Sequence, residues 1–199
     1  MIVAVVSPKG GVGKTTTAVH LAAYLQERGP TLLVDGDENR SSVGWAKRGS
    51  PQGLPFRVCA ETQTAKFAPE AAHIVIDTAA RPPREETLEL LETADQLVVC
   101  CTPDALSLHS VLPFGEMLRG LAPDRFRILL TMVPTVGHDG DDARALLAGA
   151  GLPMFAGVVR RAVAFQKASL AGATVNCVKD DRAAVAWSDY IRVGEELLP

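Results

Sequence analysis

Apolar residues in this chain gather into short continuous runs, and between the runs the spacing turns helical. The runs occupy residues 2–6, 31–34, 74–76, 97–101, 128–133 and 155–159. They do not alternate with polar positions, which is the pattern of strands covered on both faces, as in a parallel sheet. Helices are expected over 14–28, 84–93, 105–121, 142–150, 162–171 and 181–197, with Gly29-Pro30 and Gly120 as stop signals. Strands alternating with helices predict a doubly wound α/β fold: a mostly parallel sheet, helices on both faces and right-handed crossovers. Residues 40–69 divide less clearly; a helix, a short strand near 56–59 and a second helix fit there. The Pro- and Gly-rich pieces at 49–55 and 134–140 read as loops inside one domain spanning 1–199.

With 199 residues, 47% apolar and 22% charged, the chain can bury an aliphatic core without a disulfide or a structural metal. A net charge of -3 excludes a protein coated in basic residues for tight nucleic-acid binding, though not a local patch. Cys59, Cys100, Cys101 and Cys177 form no C-x-x-C pair and lie at no zinc-finger spacing from a histidine. Cys100 and Cys101 fall inside an expected strand and read as small core residues. That usage fits reducing cytoplasm. The opening residues lack a secretory leader pattern, and no apolar run approaches the roughly 18 residues of a membrane-spanning helix.

The chemistry concentrates in Ser7-Pro8-Lys9-Gly10-Gly11-Val12-Gly13-Lys14-Thr15-Thr16, directly after the first expected strand and opening the first helix. That is the context of a phosphate-binding loop. Glycines let backbone N–H groups turn inward around phosphate oxygens, and the helix N-terminus adds partial positive charge. In this reading Lys14 reaches the β- and γ-phosphates of ATP, and the Thr15 hydroxyl ligates Mg2+. Gly10, Gly11, Val12, Gly13 and Thr16 complete the cradle. A carboxylate at the tip of a buried strand lies where α/β proteins bind ligands, and Asp77 ends the run that starts at His73.

The strict G-x-x-x-x-G-K-[ST] pattern fails, because Pro8 stands at its first glycine. What stands instead, K-G-G-x-G-K-T with a second lysine at Lys9, resembles the deviant Walker A loop of the ParA/MinD ATPases. The resemblance spans the chain and is most specific in its first 80 or so residues. It implies hydrolysis of ATP to ADP and phosphate in a nucleotide-sandwich homodimer, with Lys9 crossing to the nucleotide of the partner protomer. Gly10 would then sit where two protomers approach closely. Asp77 looks like the Walker B aspartate that holds Mg2+ through water. In Asp35-Gly36-Asp37, Asp37 would position the attacking water and the metal shell, and Asp35 would support the lysines of the loop. The family often continues with Pro-Gln, whereas this chain has Glu38-Asn39. Thr102-Pro103-Asp104 reads either as part of a switch region or as a helix start capped by Asp104. Adenine contacts are expected near 132–134 and 159–161.

The resemblance further implies non-specific DNA binding by the ATP-bound dimer, and a ParB-like or adaptor protein that triggers hydrolysis. The result would be partition or positioning of a plasmid, a chromosome or another cargo by a nucleoid-associated protein. The expected DNA contacts are Arg160, Arg161, Lys167, Lys179 and Arg182, although from residue 156 to the end six Lys/Arg stand against five Asp/Glu. MinD-like relatives use a C-terminal amphipathic helix on membranes. Here the tail carries Asp189, Glu195 and Glu196 against Arg192, which an anionic bilayer repels, so no membrane partner is expected. A MinD-like membrane regulator and a metabolic ligase of related fold are the alternatives.

Overall fold

The computed structural model describes residues 1–49 and 53–198. Its strands are β1 (Ile2–Val6), β2 (Thr31–Asp35), β3 (Arg57–Ala60), β4 (His73–Asp77), β5 (Gln96–Cys101) and β6 (Phe126–Leu130). They form one sheet in the order β3-β2-β4-β1-β5-β6, and every neighbouring pair is parallel. The sheet expected to be mostly parallel is therefore wholly so among the described residues.

Helices cover both faces, as strands without polar alternation require. On β1, Val3 and Val5 join one core with side chains from α1 (Lys14–Gln26), α2 (Ser41–Arg48), α7 (Val163–Ala171) and α8 (Ala183–Leu197). Ala4 and Val6 point the other way, into a core shared with α4 (Arg84–Thr93), α5 (Ala105–Leu121) and α6 (Asp139–Gly149). A small third cluster, Leu32, Val34 and Cys59, lies against Phe67 at the end of α3 (Thr64–Phe67). Cys100 and Cys101 are buried in β5, as expected of core residues. The tail helix α8 buries Tyr190, Val193 and Leu197, and a Cβ added at Gly194 would overlap the Tyr24 ring of α1. Only a glycine lets the two helices come so close.

Three expectations shift. Residues 155–159 are not a strand: isolated bridges flank the segment, Ile128 to Met154 and Val133 to Arg160, and only its ends reach the β6 backbone, the Phe155 N–H donating to the Ile128 carbonyl and the Val159 N–H to the Leu130 carbonyl. Between those ends, side chains satisfy its backbone. Glu196 accepts from the N–H groups of Ala156 and Gly157, and Arg144 donates to the carbonyls of Phe155 and Ala156. The strand expected over 128–133 begins at Phe126 and stops at Leu130, with Met132 just beyond in a left-handed conformation (φ 52°). Helix α6 starts at Asp139, inside the stretch read as a loop, because Asp139, Asp141 and Asp142 complement its N-terminal dipole. Of the loop expected over 49–55, residues 50–52 lie outside the described residues.

Candidate nucleotide-binding site

The loop between β1 and α1 emerges at the C-terminal edge of the sheet, with β4 on one side and β5 on the other. Gly11 and Gly13 hold left-handed conformations (φ 77° and 86°), which side chains with a Cβ resist. Gly13 is the N-cap of α1, and no side chain caps the helix and no acid occupies its first turn. Its free N–H groups and positive dipole end therefore face the loop. The loop is pinned by the Thr131 hydroxyl, which donates to the Val12 carbonyl at 2.7 Å, and by the Arg81 N–H, which donates to the Ser7 carbonyl at 3.0 Å. Lys14 is buried to 8% exposure and forms no ion pair among the described residues. An isolated buried ammonium at a helix N-terminus is costly unless an anion joins it.

Strand pairing sets Asp35 directly beside Asp77. Asp77 is fully buried; the Ser42 hydroxyl donates to its Oδ2 at 2.7 Å, and its Oδ1 has no partner. Burial pushes its pKa up to about 6, with the Asp35 charge adding to the rise. The Ser42 and Thr15 hydroxyls and the Lys14 charge pull the other way. Buried carboxylate oxygens are normally satisfied. An orphaned one beside Thr15 and a lone lysine fits a hydrated Mg2+ on a bound nucleotide.

Asp35 differs from expectation. Its carboxylate accepts from the N–H of Asp37 at 3.2 Å and of Val43 at 2.8 Å. It therefore shapes the turn and the start of α2, and no loop lysine is hydrogen-bonded to it among the described residues. Asp37 is half-buried, and its Oδ1 accepts from both the N–H and the side-chain amide of Asn39, each at 2.9 Å. Asn39, where the chain departs from the family pattern, thus orients the carboxylate.

Lys9 donates to Asp104 of its own chain at 2.9 Å. Asp104 also caps α5 through the Ser107 N–H at 3.1 Å and accepts from the Thr102 hydroxyl at 2.5 Å. The Thr102 and Lys9 hydrogen bonds pull its pKa down to about 2. The Thr102-Pro103-Asp104 turn therefore caps α5, as one of its two readings expects, and it also contacts the loop through Lys9. Gly10 is exposed, and a Cβ there would have Ala80 Cβ as its nearest neighbour at 3.8 Å, an ordinary contact. Nothing inside the protomer demands a glycine at that position.

A cavity of about 510 Å3 adjoins Gly13 and Thr16, lined by Met132, Val159, Arg161 and, unforeseen from the sequence, Phe165 and Leu170. Of the cations expected to meet DNA, Arg160 makes a two-pronged ion pair with buried Asp189. Lys167 pairs with Asp180 at 2.7 Å. Arg161, Lys179 and Arg182 line a second, open cavity together with Lys167. Sequence reasoning missed Ser42 and Thr131, whose partners Asp77 and Val12 lie far away in the chain and follow no periodic pattern.

Residues 3–175 match the family model described as CobQ/CobB/MinD/ParA nucleotide binding domain. A curated relative, the maintenance of carboxysome distribution protein A of Gloeobacter kilaueensis, is 35% identical over 98% of this chain and 93% of its own length. Among solved structures, the MinD cell division protein of Aquifex aeolicus superposes with a TM-score of 0.74 at 15% identity, covering 99% of this chain and 96% of its own. An ATP complex of a Cyanothece McdA variant superposes with a TM-score of 0.72 at 14% identity, over 98% and 95% of the two chains.

Proposed function

Because the chain belongs to the CobQ/CobB/MinD/ParA nucleotide-binding family, we propose that it is a ParA-type ATPase, one domain across 1–199, that positions a cargo on DNA. Lys14, the glycines of the loop and Thr16 hold the phosphates of ATP. Thr15 and Asp77 hold Mg2+, which when bound neutralises phosphate charge. Asp37, steadied by Asn39, orients the attacking water. Lys9 leaves Asp104 and crosses to the partner protomer's nucleotide, where a second ammonium stabilises charge developing on the transferred group. The base occupies the apolar cavity beside Gly13, between Met132 and Phe165.

The observation that carries the nucleotide reading is the orphaned Asp77 Oδ1, buried beside an ion-pair-free Lys14 at the mouth of a glycine loop. Positioning rests on the relative over nearly the whole chain whose name assigns it to carboxysome distribution. The cargo is a plasmid, a chromosome or a protein compartment, and a ParB-like or adaptor protein stimulates hydrolysis from a nucleoid-bound dimer. DNA contacts come from Arg161, Lys179 and Arg182, with Lys167 at the same cavity; Arg160 serves α8 instead. No helix among the described residues is long and apolar enough to cross a membrane, and the apolar face of α8 is spent on the protomer core.

The test is retention of the protein on arbitrary duplex DNA with Mg-ATP, with ADP and without nucleotide. Retention that needs ATP and falls steeply with salt supports the proposal. Retention that ignores nucleotide, or no retention at all, rejects the DNA half of it.

A further inference from the structure

The crossover from β3 to β4 is too short to cover the sheet. Its helix α3 is only four residues long, between single 3-10 turns. Between α3 and α4 a cleft of about 420 Å3 stays open over β2 and β4. Its floor is apolar, formed by Val34, Ile74, Ile76 and Leu90. Its rim is acidic: Glu61 approaches from one wall, Glu86 and Glu89 from the other. None of these carboxylates forms an ion pair or a side-chain hydrogen bond among the described residues. Burial raises the pKa of Glu86, and the charges of Glu61 and Glu89 raise it further. The Thr64 hydroxyl, occluded in the wall, also lacks a partner.

We propose that this cleft docks a segment of a partner protein that presents Arg or Lys beside apolar side chains. An apolar floor under an acidic rim complements a side chain with a hydrocarbon stem and a cationic head. The rim does not gather into a metal site among the described residues, so a divalent cation is not the ligand. The upper end of the cleft is made by Gly36 and Thr78, the neighbours of Asp35, Asp37 and Asp77. An occupant therefore touches the turns that carry the acidic residues of the nucleotide site. That consequence rests on the ATPase reading, whereas docking itself does not, and it is read without nucleotide.

The experiment selects random displayed peptides, roughly a dozen residues long, on the nucleotide-free full chain. Their affinities are then compared with Glu61→Gln/Glu86→Gln/Glu89→Gln, a variant expected to fold because these carboxylates have no partners to lose. The proposal predicts peptides that combine Arg or Lys with apolar residues, bind roughly tenfold more weakly to the triple variant and weaken with added salt. Selected peptides without cationic residues, or affinity unchanged in the triple variant, overturn it. So does self-association of the nucleotide-free chain that the triple variant abolishes, which would make a second copy the occupant.

Discussion

Lys9 Nζ lies 2.9 Å from Asp104 Oδ1, so the extra lysine of the phosphate loop is tied to the turn after β5 of its own chain. Lys9 is 27% exposed and Asp104 50%, and pairs of that kind contribute about 0.2–1 kcal/mol. Such a tether yields readily to a triphosphate. Asp104→Asn keeps a cap for the Ser107 N–H while weakening the hold on Lys9. Sedimentation in Mg-ATP is expected to show dimerisation tightened about two- to fivefold. Weaker dimerisation would mean that Asp104 itself serves the interface.

Asp77→Asn keeps an acceptor for the Ser42 hydroxyl and removes the buried charge. Fluorescent ATP-analogue titrations should show affinity in Mg2+ falling at least about tenfold, with the dependence on Mg2+ gone. The urea midpoint should hold or rise. Asp77→Ala instead leaves Ser42 buried without its acceptor, and stability should fall by about 1–3 kcal/mol. Unchanged Mg2+ dependence in Asp77→Asn would remove the carboxylate from the metal site.

Gly10→Val separates the protomer from the dimer. The added Cβ has Ala80 Cβ as its nearest neighbour at 3.8 Å, and Gly10 is exposed, so unfolding should shift by no more than about 0.5 kcal/mol. Light scattering in Mg-ATP should nevertheless find monomers. A dimer of normal affinity would show that Gly10 does not face a partner.

His20 supplies a pH dependence with a definite sign. Its Nδ1 donates to the Thr16 carbonyl at 2.7 Å and its Nε2 accepts from the Val175 N–H at 3.0 Å, which assigns the neutral ring. Burial lowers its pKa to about 4 from 6.5. Between those values the unfolded chain binds a proton that the folded chain refuses. Stability therefore falls as pH drops from 6.5 to 4, by on the order of 3 kcal/mol in all. Asp77, raised to about 6, acts oppositely below pH 6, because there the folded chain takes the proton first. The comparison that isolates His20 is urea unfolding at pH 7 and pH 5 for the natural chain and His20→Gln. The variant should lose about 2 kcal/mol less across that interval. Equal losses would mean that His20 is charged in the fold.

The features legible from sequence are the local ones. The glycine loop is a run of consecutive residues, and β1, β2, β4 and β5 are each built on a short continuous apolar run. Residues 155–159 have the same apolar density, yet only Phe155 and Val159 bond to the β6 backbone through their N–H groups, and between them the partners are Arg144 and Glu196, side chains from α6 and α8. No window around 155–159 contains that information. The same holds for Ser42 on Asp77 and Asp104 on Lys9, pairs brought together only when β2, β4, β1 and β5 align their C-terminal ends. In the sequence Asn39 is only a departure from a pattern, whereas in the fold its amide holds Asp37 in place.

A dimer that closes on two nucleotides is read most simply from the solution mass of Asp37→Ala with Mg-ATP by small-angle scattering or light scattering. The expected result is a stable particle of about twice the 21.1 kDa chain mass in ATP and a monomer in ADP, with Lys9→Ala weakening the ATP particle. A monomer in both nucleotides would contradict it.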